Sequence, residues 1–569
     1  MASTLPRLPI FEAIAKHDPK SLAVVHSVSG RKFTYGELLE YIADAKDRLV
    51  EENDGPVEGE RIAFLVENCI DYVVTLLSVI GAHSIAIPLS PAFPAHELQY
   101  IMDHSQATML LSSKKFEKKA EDVLSGGLER VPKHVKLEKI MGGGQYGNVV
   151  LEDERQEEGG MMLYTSGTTS RPKGVLLPLS VMTAQAKSLQ TAWNYSTKDR
   201  LLHVLPLHHI HGTINAILTP LISGSTIEFI FPFNAAAVWS RFAAPFLPSP
   251  ATSAPITFFT VVPTVYNRLI CSFPDLSPEE KAAAKTAISP EHLRLNISGS
   301  AALPTPTKKK WADLSNGNVL LERYGMTEVG MALSCGLNNA DRVDASVGWP
   351  LPSVEVRLVD TDTHEIIVPG EEFCANGKER HGEIQLRGPT IFKEYWRNPE
   401  ATAKEHVEGE DGKGRWFKTG DVAVFRDVPT AGHSDQPWAK GPMYFILGRL
   451  SADIIKSGGE KISALEVERE LLSLPQVAEC AVVAVPSGKW GHKVGAVVML
   501  TAMGKTAGRN GGRWSPLDMR KAMKEKLAGY KVPQIMKVVD DIPRNAMGKI
   551  NKKVLVQACF AAEHSGDEL

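Results

Sequence analysis

The chain has 569 residues, 43% of them hydrophobic and 23% charged, and its formal net charge is -3. This length exceeds that of an ordinary single domain, and the composition excludes a disordered or fibrous chain. The net charge provides no overall basic field for nucleic acid or an anionic membrane, so we expect small-molecule partners instead.

The cysteines and the apolar segments narrow the class of protein further. The six cysteines are scattered with no CxxC pair, which disfavours a disulfide framework or a structural metal site. The first residues lack the pattern of a secretory signal or a transit peptide, and the longest apolar stretch, 72–89, is interrupted by polar residues and proline. We therefore expect no membrane span and a cytosolic protein, with mitochondria and peroxisomes as open alternatives.

In chain order, the first elements alternate between strands and helices. RIAFLVEN (61–68) and SIAIPLS (84–90) predict strands, and DYVVTLLSVIGA (71–82) between them predicts a helix. Further strands are expected in TMLLSS, ITFFTVV, LRLNIS and NVLLERY. This alternation predicts an α/β protein with parallel strands, whose ligands bind where the strands end.

The character of the sequence changes twice towards the C-terminus. After residue 350 the segments VEVRLVD, GEIQLRG and MYFILGR predict a β-rich subdomain, 350–449. From residue 450 a new set of helices and strands begins. We predict an N-terminal domain over 1–449 and a small α+β C-terminal domain over 450–569.

The stretch YTSGTTSRPKG, residues 164–174, combines hydroxyls, glycines and positive charge. Small residues let backbone N–H groups approach an anion, and Lys173 adds a charge, which is typical of phosphate binding. It is not a Walker loop, because Pro172 precedes the lysine, Gly174 follows it, and a strand continues the chain. A plain surface turn remains an alternative for this stretch taken alone.

Four more motifs follow in order. ERYGMTEVG (322–330) places Thr327 and Glu328 after a turn at a strand end, where they suit a nucleotide and Mg²⁺. In KTGD, the oxygens of Asp421 are suited to two ribose hydroxyls, while LGR ends a strand with Arg449. PRNAMGK isolates Lys549 in a glycine turn. Each motif is a weak signal by itself.

Together and in this order, the five motifs resemble those of the adenylate-forming superfamily of acyl-CoA synthetases, luciferases and peptide-synthetase adenylation domains, from about residue 10 to 556. The resemblance implies a large N-terminal domain with two sheets and a β-barrel-like piece, and a mobile C-terminal domain. It also implies ATP, Mg²⁺ and coenzyme A. A carboxylate would first be joined to the α-phosphate of ATP with loss of pyrophosphate, and CoA would then displace AMP.

The resemblance also assigns residues. Lys549, Glu328 and Thr327 are the expected catalytic residues, with Glu328 and Thr168 near the metal. The expected contacts to ATP and CoA are Thr165, Ser166, Gly167, Thr168, Thr169 and Lys173 for the phosphates, Gly299, Ser300, Ala301 and Tyr324 for adenine, Asp421 and Arg449 for ribose, and Gly458 and Gly459 for the CoA arm.

The acid pocket is expected from LPLHHIHG (205–212), VPTVYNRLI (261–269), the turn at 298–300 and GMTEVGM (325–331). A fatty acid would favour an apolar lining, because an unpaired buried charge is costly. Arg268 and Arg323 instead offer forks for a second carboxylate. Extension of Arg268 to solvent and pairing of Arg323 with a structural acid are equally compatible with the sequence. The candidate acid-binding residues are His209, His211, Arg268, Ser298 and Arg323.

Longer segments, including ISGSAALP, LERYGMTEVGMALS and GPTIFKEYWRNPEAT, resemble the malonyl-CoA synthetase branch of the superfamily. This resemblance implies that malonate, or alternatively methylmalonate, is converted to its CoA thioester. A synthetase of short or medium monocarboxylic acids is the alternative within enzymes. An inactive nucleotide-binding regulator is the alternative outside them. Oligomeric state does not follow from the sequence.

Overall fold

The apolar runs form strands and the stretches between them form helices, as the sequence predicts, in a computed structural model that describes residues 3–143, 147–153, 159–165, 171–248, 254–488, 490–544 and 550–561. The strands in chain order are β1 (Thr4–Pro6), β2 (Leu22–His26), β3 (Lys32–Thr34), β4 (Arg61–Leu65), β5 (Ile85–Pro88), β6 (Met109–Ser113), β7 (Lys133–Leu137), β8 (Val150–Glu152), β9 (Gly160–Thr165), β10 (Lys173–Pro178), β11 (Arg200–His203), β12 (Thr226–Phe229), β13 (Phe258–Val261), β14 (Leu295–Ser298), β15 (Leu321–Met326), β16 (Gly330–Ser334), β17 (Ser346–Pro350), β18 (Glu355–Asp360), β19 (Ile366–Ile367), β20 (Gly382–Arg387), β21 (Glu394–Tyr395), β22 (His406–Glu408), β23 (Arg415–Arg426), β24 (Met443–Arg449), β25 (Ile454–Ser457), β26 (Glu460–Ser463), β27 (Val477–Ser487), β28 (Gly491–Leu500) and β29 (Ile535–Val538).

The helices lie mainly between these strands. In chain order they are α1 (Pro9–Ala15), α2 (Tyr35–Glu52), α3 (Ile70–Gly81), α4 (Ala95–Ser105), α5 (Glu117–Leu124), α6 (Leu179–Trp193), α7 (Thr219–Ser223), α8 (Ala235–Ala243), α9 (Pro263–Ser272), α10 (Pro278–Ala287), α11 (Thr305–Leu314), α12 (Pro399–Lys404), α13 (Ala464–Leu472), α14 (Pro516–Lys524) and α15 (Lys552–Phe560). A π-helical segment, His211–Leu218, precedes α7. Among the described residues, no helix combines the length and the apolar character that crossing a bilayer requires.

The first sheet has the strand order β21-β10-β9-β5-β4-β6-β7. Strands β4, β5, β6, β7 and β9 run parallel, and β10 returns antiparallel to β9. The strand after Gly174 is therefore confirmed, and the phosphate-loop motif connects two neighbouring strands rather than a strand and a helix.

The second sheet is longer and contains the β-rich region. Its parallel part has the order β15-β14-β13-β11-β12-β2, and it continues antiparallel through β16, β17 and β24 to β23, β20 and β18. The strands after residue 350 are thus hydrogen-bonded to the parallel part through β17 and β24. This continuity brings the KTGD and LGR motifs towards the ends of β14 and β15.

One apolar core joins the two sheets. Helix α3 is buried over all of its residues, which explains why its sequence is apolar around its whole circumference. It packs against α2, which begins at a capping box formed by Thr34 and Glu37. The same core includes side chains of β4 from the first sheet and β14 from the second. The helices between the sheets therefore fix the relative positions of the strand ends.

Strands β25 to β29 form a separate sheet with its own apolar core. Ion pairs connect it to the β-rich region. Lys461 Nζ lies 2.6 Å from Asp362 Oδ1, and Lys378 Nζ lies 2.9 Å from Glu460 Oε2. The mixed α/β fold with a large N-terminal and a small C-terminal part is as predicted, while the boundary near residue 450 stays a prediction.

Glu228 provides a test of how the second sheet is stabilised. Its buried carboxylate binds Arg241 and Arg200, with Oε2 2.9 Å from Arg241 Nη2 and 2.8 Å from Arg200 Nη1. Glu228→Leu leaves both cations without this partner, so we expect a loss of about 3 kcal/mol and a lower thermal unfolding midpoint. Asp122→Asn, which weakens the exposed Lys118–Asp122 pair, should change stability by at most about 0.5 kcal/mol. Equal shifts of the two midpoints would contradict a stabilising role of the buried cluster.

Candidate active site

The candidate site lies where the parallel strands of the second sheet end. Strand β14 pairs with β13 and β15 in parallel, so that Ser298 is opposite both Val261 and Glu322. The turn after β14 and the last residues of β15 consequently meet at one edge of the sheet. This is the position expected for ligand binding in such sheets.

Arg323 is a buried cation among the residues expected to bind the acid. Its side chain is buried, and its Nη2 donates to His211 Nδ1 at 2.7 Å and to Ser300 Oγ at 3.0 Å. Its Nε has no hydrogen-bond partner in the described part of the chain. Burial lowers the pKa of Arg323 to about 9, which leaves the guanidinium cationic at neutral pH.

Gly299 makes room for this arginine. A Cβ added at Gly299 would lie 2.4 Å from Arg323 Nε, closer than any real contact. Glycine is therefore required here for the close approach of the turn to the guanidinium, in addition to any contact with adenine. Ser298 is buried at the end of β14, whereas Ser300 and Ala301 after it are exposed.

His211 is neutral and orients Arg323 by accepting a hydrogen bond from it. Burial, followed by the charge of Arg323, holds the pKa of His211 well below its usual range. Because Nδ1 accepts from Arg323, the proton of the neutral ring lies on Nε2 and is donated to Thr260 Oγ1, at 2.6 Å. His209 is half-buried two residues earlier, with its ring centroid 4.2 Å from that of His208.

Arg268 lies elsewhere on the surface of α9. Its side chain is exposed, and its guanidinium carbon is 4.9 Å from the centroid of the Phe233 ring. The structure brings Arg323, His211 and Ser298 together at the strand ends, but no described contact connects Arg268 with them. A role for Arg268 in binding the acid stays a prediction.

Asp421 joins the residues expected around adenine and ribose. Its Oδ2 accepts from the Tyr324 hydroxyl at 2.6 Å, and its Oδ1 accepts from Arg449 Nε at 3.2 Å. Asp421 and Arg449 are also opposite each other in the β23–β24 pairing. Burial raises the pKa of Asp421, and the charge of Arg449 acts against that rise. Three motifs that are distant in sequence therefore share one hydrogen-bonded group.

The phosphate motif spans the β9–β10 hairpin, in which Thr165 is opposite Lys173. The Lys173 ammonium is 4.1 Å from the centroid of the Tyr395 ring. The Tyr395 hydroxyl donates in turn to Glu328 Oε1 at 2.9 Å. Ser166, Gly167, Thr168 and Thr169 lie outside the described residues, so their expected phosphate and metal contacts remain predictions.

Glu328 is suited to bind a cation whose other ligands are mainly phosphate oxygens and water. It is half-buried after the end of β15, and Oε2 carries no hydrogen bond among the described residues. The described chain has no group of three or more His, Cys, Asp and Glu side chains arranged as a metal cage. A single carboxylate beside ATP phosphates is typical of Mg²⁺, which keeps several waters. Thr327 is half-buried next to it.

In the C-terminal part, Gly458 and Gly459 form the exposed turn of the β25–β26 hairpin, both with positive φ. Lys549 lies outside the described residues, between Arg544 and Ile550, which pair as an antiparallel bridge. Nearby, Lys552 Nζ contacts Asp453 Oδ1 at 2.5 Å, and Asp453 Oδ2 accepts from the backbone of Arg449 at 3.0 Å. The segment that follows Lys549 is therefore connected to the end of β24.

The sequence analysis missed Tyr395, Asp453 and Lys552 as residues of this region. Tyr395 stands in KEYWRNPEAT, one of the segments that carry the resemblance, but nothing in the sequence shows which charges it contacts. Asp453 and Lys552 are ordinary charged residues in the sequence, and their pairing depends on folding of the C-terminal part.

Comparisons with known proteins agree with this geometry. The family model for AMP-binding enzymes matches residues 11–396, and the model for the AMP-binding enzyme C-terminal domain matches residues 466–549. A CoA ligase of Gibberella moniliformis is 54% identical over 98% of this chain and 96% of its own length. The mitochondrial malonate–CoA ligase of Homo sapiens is 38% identical over 88% of this chain and 84% of its own.

Solved structures show the same architecture. ATP-bound MatB from Rhodopseudomonas palustris has a TM-score of 0.77 and 29% identity, covering 97% of this chain and 98% of its own. The predicted fold and the predicted superfamily are both confirmed. The chain therefore belongs to the AMP-binding enzyme family and is an AMP-forming acid–thiol ligase.

Proposed function

We propose that this ligase converts malonate, ATP and CoA into malonyl-CoA, AMP and pyrophosphate, with Mg²⁺ bound to the nucleotide. The observation that carries the proposal is Arg323, a buried cation at the strand ends with no acidic partner within ion-pair distance among the described residues. A dicarboxylic acid supplies the missing counter-charge while its other carboxylate reacts.

The neighbouring acid does not neutralise Arg323. Glu322 precedes it on β15, and successive side chains of a strand point to opposite faces. The Glu322 carboxylate instead binds Lys308, with Oε1 2.8 Å from Nζ. Pairing of Arg323 with a structural acid, one of the interpretations left open by the sequence, therefore lacks support at this position.

The charge of Arg323 also discriminates between acids. A long aliphatic acid would place apolar groups beside the buried guanidinium without supplying a counter-charge, which is costly. The second carboxylate of malonate instead accepts from the planar N–H fork. His211 and Ser300 already engage Nη2, so they fix the orientation of this fork before the acid binds.

The remaining site residues suit formation of an acyl-adenylate. The substrate carboxylate attacks the α-phosphorus of ATP, forming a C–O–P linkage as pyrophosphate leaves, and the CoA thiolate then displaces AMP from the acyl carbon. We assign Lys173 to the phosphates, Asp421 and Arg449 to ribose, and Glu328 to the metal. Mg²⁺, when bound, neutralises charge on the phosphate oxygens. We assign Lys549 to the carboxylate and the α-phosphate during the first step.

The relatives support the choice of acid in part. The relatives of Homo sapiens and Arabidopsis thaliana at 38% and 36% identity are named as malonate–CoA ligases, while the 54% identical relative is named only as a CoA ligase. The cytosolic location expected from the sequence stays a prediction, since the animal relatives are named as mitochondrial.

The choice of acid is tested by pyrophosphate release with a panel of substrates. We expect the highest kcat/KM with malonate, a lower value with methylmalonate, and low values with acetate, octanoate and 4-coumarate. Higher kcat/KM for any monocarboxylic acid would contradict the proposal and favour a general short- or medium-chain synthetase.

Arg323→Met keeps an unbranched stem but removes the charged guanidinium group. We expect the KM for malonate to rise about a hundredfold, because a buried charge-assisted pair is lost. The KM for ATP should change much less, since Ser300 loses only one hydrogen bond and the residues proposed for the phosphates and the ribose make no described contact with Arg323. Equal changes of the two KM values, or a gain of malonate activity, would contradict a direct contact.

Arg268→Leu is the matched comparison, because Arg268 is the other arginine predicted from the sequence to bind a second carboxylate. Because Arg268 is exposed and stacked on Phe233, we expect a smaller change in the KM for malonate than Arg323→Met produces. A selective rise as large as that of Arg323→Met would place Arg268 in the pocket as well, with its side chain moved from Phe233.

Lys549→Ala tests the two-step reaction. We expect loss of malonate-dependent ATP–pyrophosphate exchange, while thioester formation from supplied malonyl-adenylate continues at a measurable rate. Loss of both half reactions in a protein with an unchanged unfolding midpoint would contradict separate steps. Absence of exchange in the unaltered protein with every acid would favour the inactive regulator.

A further inference from the structure

Tyr395 contacts two charged side chains of the proposed nucleotide site, Lys173 and Glu328. It lies on the edge strand β21 and is 4% exposed. Lys173 Nζ lies 4.1 Å from its ring centroid, and its hydroxyl donates to Glu328 Oε1 at 2.9 Å. One side chain thus attracts the cation through its ring face and binds the carboxylate through its hydroxyl.

The backbone around Tyr395 connects the same two regions. Strand β21 pairs with β10, where Tyr395 is opposite Val175, two residues after Lys173. On the other side, the backbone N–H of Phe392 donates to the carbonyl oxygen of Glu328 at 2.8 Å. The segment 392–395 therefore spans from the first sheet, which carries Lys173, to the turn after β15, which carries Glu328.

Lys173 and Glu328 form no ion pair with each other within the described ranges. Two opposite charges near one site would otherwise be expected to pair, and such pairing would withdraw both of them from a ligand. Tyr395 instead attracts Lys173 through its ring and binds Oε1 of Glu328 through its hydroxyl. Oε2 of Glu328 is left without a hydrogen bond among the described residues.

We propose that Tyr395 is a positioning residue that holds the Lys173 ammonium and the Glu328 carboxylate apart, ready for the phosphates and the metal of ATP. The proposal depends on the nucleotide site assigned under the proposed function, and not on which acid is activated. A purely structural role would predict a loss of stability and an equal loss of affinity for all nucleotide forms. A positioning role predicts that the hydroxyl and the ring affect different ligands.

The test is isothermal titration of a non-hydrolysable ATP analogue, with and without Mg²⁺ and without any acid. Tyr395→Phe retains the ring beside Lys173 but loses the bond to Glu328. We expect an unchanged affinity for the metal-free nucleotide and about a tenfold smaller gain of affinity on adding Mg²⁺. Tyr395→Leu loses both contacts, so the metal-free affinity should also fall by about fivefold.

Tyr444→Phe is the matched control. Tyr444 is a half-buried tyrosine on β24 whose hydroxyl makes no hydrogen bond among the described residues, so its removal should leave both affinities unchanged. Thermal unfolding of every variant separates lost affinity from lost folding. A full Mg²⁺-dependent gain in Tyr395→Phe, or identical titrations of the Phe and Leu variants, would overturn the proposal. Failure of malonate as a substrate would leave these titrations unaffected.

Discussion

The buried positive charge of Arg323 is the constraint on which the proposed acid-binding end of the site depends. A guanidinium away from water requires either an acidic partner or a ligand that supplies one. Here Gly299 provides the space, His211 provides a neutral acceptor, and Thr260 fixes the tautomer of that histidine. These residues come from separate segments of the chain, and together they hold one cation in a defined orientation.

At the proposed nucleotide end, two carboxylates are held in place by tyrosine hydroxyls, one of them in a direct ion pair and the other with none among the described residues. Asp421 receives hydrogen bonds from Tyr324 and Arg449. Tyr395 stands between Lys173 and Glu328. In both groups a tyrosine hydroxyl binds a carboxylate. The Tyr395–Glu328 bond lies at the border between the two sheets, and the Tyr324–Asp421 bond lies within the long sheet. The aromatic residues therefore hold at defined positions the charged groups to which we assign roles in the reaction.

The sequence predicted the strand-and-helix alternation well, because the largely buried apolar runs 61–65 and 70–81 differ in length, the short one fitting a strand and the long one a helix. It predicted the separate C-terminal α+β set for the same reason. It did not predict that β17 and β24 join the β-rich strands to the parallel sheet, because pairing between distant strands leaves no local pattern. Likewise, the roles of Arg268 and Arg323 were equivalent in the sequence, and only burial and hydrogen bonding separated them.

The sequence by itself identified the family and predicted the chemistry of activation, because five short motifs in a fixed order are typical of that family. It also offered candidate residues for binding the acid, but not their arrangement. The tertiary structure decided that Arg323 is buried beside His211 while Arg268 is exposed over Phe233. It also decided that Tyr395 touches both Lys173 and Glu328. The physical reason is that burial and contact between residues from separate elements, 35 to 222 positions apart in these cases, arise only when the elements pack together.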